Sequence, residues 1–269
     1  MSKIIVMIHG MCGGLWCWEN YKNFFEKKGY RCIIPTLRFH DIDPSEPPNP
    51  QLGTTSLLDY AEDLEKGIRK LDVTPIIMGH SMGGLLAQIL GSRGMAKALV
   101  LLTPASPHGI MSLRLSAIRG FWSILTKWAF WRKPIRQTFC EAVYSMMHLL
   151  TAEEQKKSFE QFVYESGRVV FEIGCWFFDS RGAAKVDESK VTCPVLIIAG
   201  ADDRITPPSV LRKVADKYRA VSTFMEFPNH AHWVIGEPGW QEIAEYIYDW
   251  FNQVLTEGTK ADEISKTHN

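Results

Sequence analysis

Three observations predict an α/β fold with a mostly parallel central sheet, flanked by helices and interrupted by one helical insertion. Short apolar, β-rich runs alternate with helical patterns, as they do when parallel strands are joined by crossover helices. The alternation breaks over 105–188, which is helical in pattern and rich in Trp and Phe. A chain of 269 residues, 46% of them apolar, can bury one large core without a second full domain. The expected organisation is a core from 1–104 and 189–255, a helical cap over 105–188 inserted after the strand at about 98–103, and a polar tail over 256–269. That tail carries no apolar period and is expected to be disordered.

Strands are expected at 3–8, 31–35, 75–79, 98–103, 194–199 and 223–227, each a short apolar run suited to burial on both faces. Pro44, Pro47, Pro48 and Pro50 keep the stretch after the second strand irregular, and this loop is expected to rim the functional site. The helix at about 57–71 follows from Leu57, Ala61, Leu64, Ile68 and Leu71 falling on one face. Ser56 with Asp59 three residues on has the form of a capping box at its start.

Thirty basic and thirty acidic residues cancel, which argues against a nucleic-acid partner, since phosphate binding needs a net basic face. A small-molecule ligand is favoured. The six cysteines show neither a CxxC pair nor metal-ligand spacing and read as reduced thiols, with no metal and no organic cofactor implied. The first strand begins at Lys3, too early for a signal peptide, and no run reaches transmembrane length. A cytoplasmic protein is expected. Nothing in the sequence sets an oligomeric state.

Chemistry concentrates at Gly79-His80-Ser81-Met82-Gly83, a G-x-S-x-G run between a predicted strand and the helix-like Leu85 to Leu90. Such a turn holds a serine at the top of a parallel sheet, and glycines two residues either side let strand and helix approach closely. A serine hydroxyl is a weak nucleophile, so a base must take its proton and a carboxylate must orient that base. Acidic residues Asp202 and Asp203 end the strand near 194–199, of which Asp203 is the candidate acid. His230 and His232 follow the last strand, and either can supply the base. His80 is expected to serve in packing.

Ser81, Asp203 and a histidine in that chain order, each after a strand, resemble the α/β-hydrolase superfamily over about residues 3–252. The resemblance implies the α/β-hydrolase fold. The family's acid sits three residues after a glycine and four before a proline, which fits Asp203 between Gly200 and Pro207. Its histidine lies five residues before a Glu-Pro pair, which selects His232 ahead of Glu237-Pro238. His9 to Gly14 resembles the family's oxyanion loop, implying the backbone N–H groups of Met11 and Met82 as oxyanion donors with both side chains at the pocket. Leu15-Trp16-Cys17-Trp18 and Lys28-Gly29-Tyr30 look like the methylesterase and hydroxynitrile lyase branch and similar bacterial esterases. The lyases of that branch carry threonine where Gly10 stands and lysine where Trp233 stands. Esterase chemistry is implied over lyase chemistry, and Ser81 excludes the aspartate-nucleophile classes.

The expected reaction is hydrolysis of a hydrophobic ester through an acyl-enzyme, falling off in acid as the base protonates. Substrate-pocket candidates are Gly10, Trp122, Trp128, Trp176 and Trp233, with Trp131, Phe177 and Phe178 as further cap aromatics. A thioesterase or acyltransferase on acyl-CoA, a carbon–carbon bond hydrolase and a non-catalytic receptor on the same fold stay open. No Asp or Glu occurs between Val73 and Cys140, while Leu113 to Trp131 mixes cations with aromatics. Such a stretch suits an anionic membrane surface or an acyl-CoA; burial of one helix face on the core is the preferred reading.

Overall fold

The computed structural model describes residues 3–112 and 114–266, with side chains as far as residue 254. Residues 1–2, Leu113 and 267–269 lie outside the described residues. Six strands, β1 (Lys3–Ile8), β2 (Tyr30–Ile33), β3 (Ile76–His80), β4 (Ala98–Leu102), β7 (Val195–Gly200) and β8 (Ser222–Phe227), form one sheet in the order β2-β1-β3-β4-β7-β8. Every pairing in it is parallel. A two-stranded antiparallel ladder, β5 (Pro134–Ile135) with β6 (Glu165–Ser166), lies in the segment between β4 and β7.

Alternation along β1 shows how the sheet sorts its side chains. Ile4, Val6 and Ile8 join the apolar cluster that holds Tyr60 and Leu64 of α2 (Leu57–Ile68), Leu86 and Leu90 of α3 (Met82–Ser92) and Leu211 of α9 (Pro208–Lys217). Ile5 and Met7 point the other way, into the cluster of Tyr21 and Phe25 of α1 (Glu19–Lys27) and Ile247 and Phe251 of α10 (Trp240–Lys266). Both faces are covered, which is why the central strands are apolar throughout rather than alternating with polar residues. The capping box of α2 forms as expected: Ser56 Oγ accepts from the Leu58 N–H, and Asp59 Oδ2 accepts from the Ser56 N–H at 2.8 Å.

Register brings the carboxyl ends of the strands into line, with Ile8 beside Gly79, Gly79 beside Leu101, Leu102 beside Ile198 and Gly200 beside Phe227. In open parallel sheets ligands gather at that edge. The β4–β7 segment rises from it, carrying the short helices α4 (Leu115–Gly120), α5 (Trp122–Leu125) and α6 (Phe139–Ala142), then α7 (Ala152–Glu160) and α8 (Gly167–Gly174).

The backbone of α10 runs from Trp240 to Lys266, and the side chains of the expected polar tail, 256–269, lie outside the described residues. No helix among the described residues is long and apolar enough to cross a membrane.

All six cysteines are free. Burial pushes the Cys17 thiol up to about 12 and raises that of Cys12 further, whereas Cys140 is exposed. Alkylation with iodoacetamide at about pH 8 should therefore modify Cys140 first and reach Cys12 and Cys17 only after unfolding. Peptide mass mapping checks this, and modification of either buried thiol in the folded protein would contradict the packing described.

Candidate active site

Ser81 occupies the turn between β3 and α3 with φ 51° and ψ −118°, a left-handed conformation that a residue with a Cβ adopts only under strain. The two flanking glycines make the turn possible. A Cβ on Gly79 would stand 2.1 Å from the carbonyl oxygen of Gly83, and one on Gly83 would stand 2.1 Å from that of Ile8. The N–H of Ser81 donates to Leu102 O at 3.0 Å, tying the turn to β4.

His232, in the loop after β8, places Nε2 2.9 Å from Ser81 Oγ and Nδ1 2.8 Å from Asp203 Oδ2. Asp203 follows β7. Its Oδ1 accepts the N–H groups of Ile205 and Thr206 at 2.7 and 3.0 Å, and its Oδ2 also accepts Thr206 Oγ1 at 2.9 Å. Burial alone would raise the Asp203 carboxyl, but His232 and these donors outweigh it and hold the group below its ordinary value. The carboxylate thus stays ionised and fixes the tautomer: with Nδ1–H donated to Asp203, Nε2 is free to accept the Ser81 proton. Three residues 151 and 29 positions apart in sequence form one hydrogen-bonded relay, with Asp203 and His232 buried and Ser81 partly open.

Residues 3–239 match the family described as alpha/beta hydrolase fold. The chain belongs to that family. Methylesterase 9 of Arabidopsis thaliana is 30% identical over 89 residues, covering 32% of this chain and 33% of that protein. Methylesterase 1 of the same plant is 34% identical over 88 residues, covering 30% of each. These matches span about a third of the length of the curated relatives. A solved pyrethroid hydrolase from Sphingobium faniae shares the fold over 96% of this chain and 100% of its own, with a TM-score of 0.70 and 18% identity.

Other α/β-hydrolase elements gather around the relay. Gly10 and Met11 line a cavity of about 990 Å³, its open mouth included, that reaches Ser81. Gly13 N–H donates to Gly10 O at 3.3 Å and His9 Nδ1 to the same oxygen at 2.9 Å, which shapes the loop. The N–H of Met82, first residue of α3, has no acceptor within its own helix. Its side chain does not line the cavity as expected; it is buried in the core beside α3, because the residue after a tight turn already follows the inward face of a helix packed on all sides.

The remaining pocket candidates divide. Gly10 and Trp233 line the cavity. Trp122 and Trp128 do not: they are 60% and 83% exposed on the outside of the β4–β7 segment. Phe121 and Leu125 take the inward positions instead, and successive helical residues are about 100° apart, so an inward Phe121 turns Trp122 outward. Trp176 packs against His108 with ring centroids 4.3 Å apart, away from the cavity. Trp131 packs against Phe130 and Phe171, while Phe177 and Phe178 are exposed. Ala117, Ile118, Val170 and Ile173 complete an apolar wall that no single-face pattern in the sequence distinguished from segment core.

His80 does more than pack. Its Nε2 donates to His232 O at 2.8 Å, Thr103 Oγ1 donates to the same carbonyl at 3.0 Å, and burial with His232 alongside lowers the His80 imidazole to about 3. A neutral His80 and Thr103 together hold the backbone that carries His232. His230, by contrast, pairs with Glu237 at 2.9 Å and braces the loop, and Asp202 is exposed.

A second buried cluster lies behind the Gly10 loop. His40 donates from Nε2 to Glu165 at 3.1 Å and from Nδ1 to Arg38 O at 3.1 Å, and Tyr60 OH donates to the other Glu165 oxygen at 2.8 Å. Burial opposes charge on both partners, yet their mutual attraction outweighs it, raising His40 and lowering Glu165. His9, with its ring 5.2 Å from that of His40, is lowered to about 4 by burial and by the neighbouring charge.

Proposed function

We propose that this α/β-hydrolase is a serine carboxylesterase acting on small esters with an apolar acyl or aromatic group. The observation that carries the reading is the unbroken hydrogen-bonded series Ser81, His232, Asp203 at the floor of an apolar cavity. In this reading Ser81 Oγ attacks the ester carbonyl as His232 Nε2 takes its proton. Asp203 stabilises the resulting imidazolium. The carbonyl oxygen becomes an oxyanion, met by the N–H groups of Met11 and Met82, each worth about 3 kcal/mol to the transition state. His232 then returns the proton to the departing alcohol, and a water deprotonated by the same imidazole cleaves the acyl-enzyme to acid and free Ser81. The β4–β7 segment serves as the cap, excluding water from the acyl group with Phe121, Leu125 and Ile118. The names of the curated relatives, both methylesterases, agree with ester cleavage.

Hydrolysis of p-nitrophenyl esters set against acyl-CoAs tests the assignment. Esters are expected to turn over with the higher kcat/KM; preference for acyl-CoAs would move the leaving group to a thiol, and no cleavage of either would overturn the reading. Ile118→Trp fills the cavity from α4 and is expected to raise KM for p-nitrophenyl octanoate about tenfold while leaving p-nitrophenyl acetate within about twofold.

A further inference from the structure

The outer side of the cap presents features that neither the relay nor the cavity uses. Leu115, Trp122 and Trp128 are 87%, 60% and 83% exposed. They sit on the same short stretch as the exposed cations Arg114, Arg119, Lys127, Arg132 and Lys133. Single exposed apolar side chains are ordinary on a surface, whereas several on one short stretch among cations suit contact with a partner.

The charges there are one-sided, since no Asp or Glu occurs between Val73 and Cys140. Several surface cations elsewhere pair with carboxylates: Arg38 with Asp63, Arg69 and Arg93 with Glu65, Arg168 with Glu172, Arg212 with Glu226. On the outer cap the contacts are neutral. Arg114 donates to Ser209 Oγ, Arg119 lies over the Tyr144 ring and Lys133 donates to Trp128 O. Lys127 and Arg132 have no side-chain partner among the described residues. Glu141, the first carboxylate after Asp72 in the chain, is committed to Ser123 and Thr138. The result is a stretch with five exposed cations against the single carboxylate of Glu141, studded with Trp and Leu, in a chain whose formal net charge is +0.

We propose that this face of the cap docks on an anionic phospholipid surface. Lysine and arginine would meet lipid phosphates and carboxylates while Trp122, Trp128 and Leu115 enter the boundary between headgroups and acyl chains, where indole is favoured. Charge complementarity decides the occupant: an uncharged apolar partner would leave five cations unanswered. Docking also has a consequence for access. Leu115 shares α4 with Ala117 and Ile118, and Trp122 follows Phe121, so the helices that touch lipid on one side wall the cavity on the other. An apolar ester dissolved in the bilayer would reach Ser81 without crossing bulk water.

Co-sedimentation of the full chain with vesicles tests the proposal. Partitioning is expected to phosphatidylcholine vesicles containing about 30 mol% phosphatidylserine, to be at least tenfold weaker on pure phosphatidylcholine, and to be released by about 0.5 M NaCl. Lys127→Ala with Arg132→Ala should weaken it about thirtyfold, and Trp122→Ser with Trp128→Ser should abolish it with unchanged thermal melting, since all four side chains are exposed. No partitioning, equal partitioning to neutral vesicles, or full partitioning by both variants would overturn it. Ser81→Ala must bind like the parent, so the outcome is independent of whether the chain hydrolyses esters.

Discussion

Ser81→Ala is expected to lower kcat on p-nitrophenyl esters by about 10⁴- to 10⁶-fold while leaving KM within about threefold. The substitution removes the only atom of residue 81 that meets His232 Nε2. Without Oγ the imidazole has nothing to deprotonate except water, and the covalent route is closed. Some rate should survive, since the N–H groups of Met11 and Met82 and the apolar wall would still bind a transition state. The fold should not change. Alanine carries the same Cβ as serine, so the strain of the positive φ is no greater, and the clearance around Gly79 and Gly83 is untouched. Steady-state kinetics with a thermal melt on the same sample separates the two effects; a variant that keeps activity within tenfold of the parent would remove Ser81 from the chemistry.

The second large effect is on stability. Glu165→Gln should destabilise the fold by about 3–5 kcal/mol, because it leaves His40 buried without the charge that offsets its desolvation. Glu165 lies on β6 in the β4–β7 segment, His40 in the loop after β2, and Tyr60 on α2, so the pair fastens that segment to the elements beside the sheet. Its contribution depends on pH in both directions. Glu165 is lowered, so its share is complete above the ordinary carboxylate pKa and is lost as pH falls through the folded value. His40 is raised, so its share is complete below the ordinary imidazole pKa and is lost as pH rises through the folded value. The pair is therefore at full strength between about pH 4.5 and 6.5. Melting curves of parent and variant from about pH 4 to 9 should show their largest separation, about 10 °C or more, in that window. A separation that is small or independent of pH would mean that the pair is not an ion pair in the folded protein.

Sequence alone carried the sheet well and the β4–β7 segment poorly, for a physical reason. Central strands such as Ile76–His80 and Val195–Gly200 are buried on both faces, so their apolar runs are continuous and bounded by glycine or proline. Ser81, Asp203 and His232, joined by hydrogen bonds through His232, could be picked out as candidates because each follows such a strand, and the resemblance in spacing to Pro207 and Glu237 favoured Asp203 over Asp202 and His232 over His230. The β4–β7 segment gives no such bounds. Its helices are four to nine residues long and some of its aromatics face solvent while smaller residues face the cavity, so a Trp-rich stretch did not reveal that Phe121 and not Trp122 turns inward. Contacts between distant residues were equally hidden: nothing local marks His80 as the donor to His232 O, or His40 and Glu165, 125 positions apart, as partners.

Reaction with a fluorophosphonate tests the central claim most directly, because it reports an activated serine without requiring the natural substrate. Intact mass should show one adduct on the parent chain, mapped to Ser81 by fragmentation, and none on Ser81→Ala. An unlabelled parent, or a label that persists in the variant, would contradict the assignment of Ser81, His232 and Asp203 as the hydrolytic machinery.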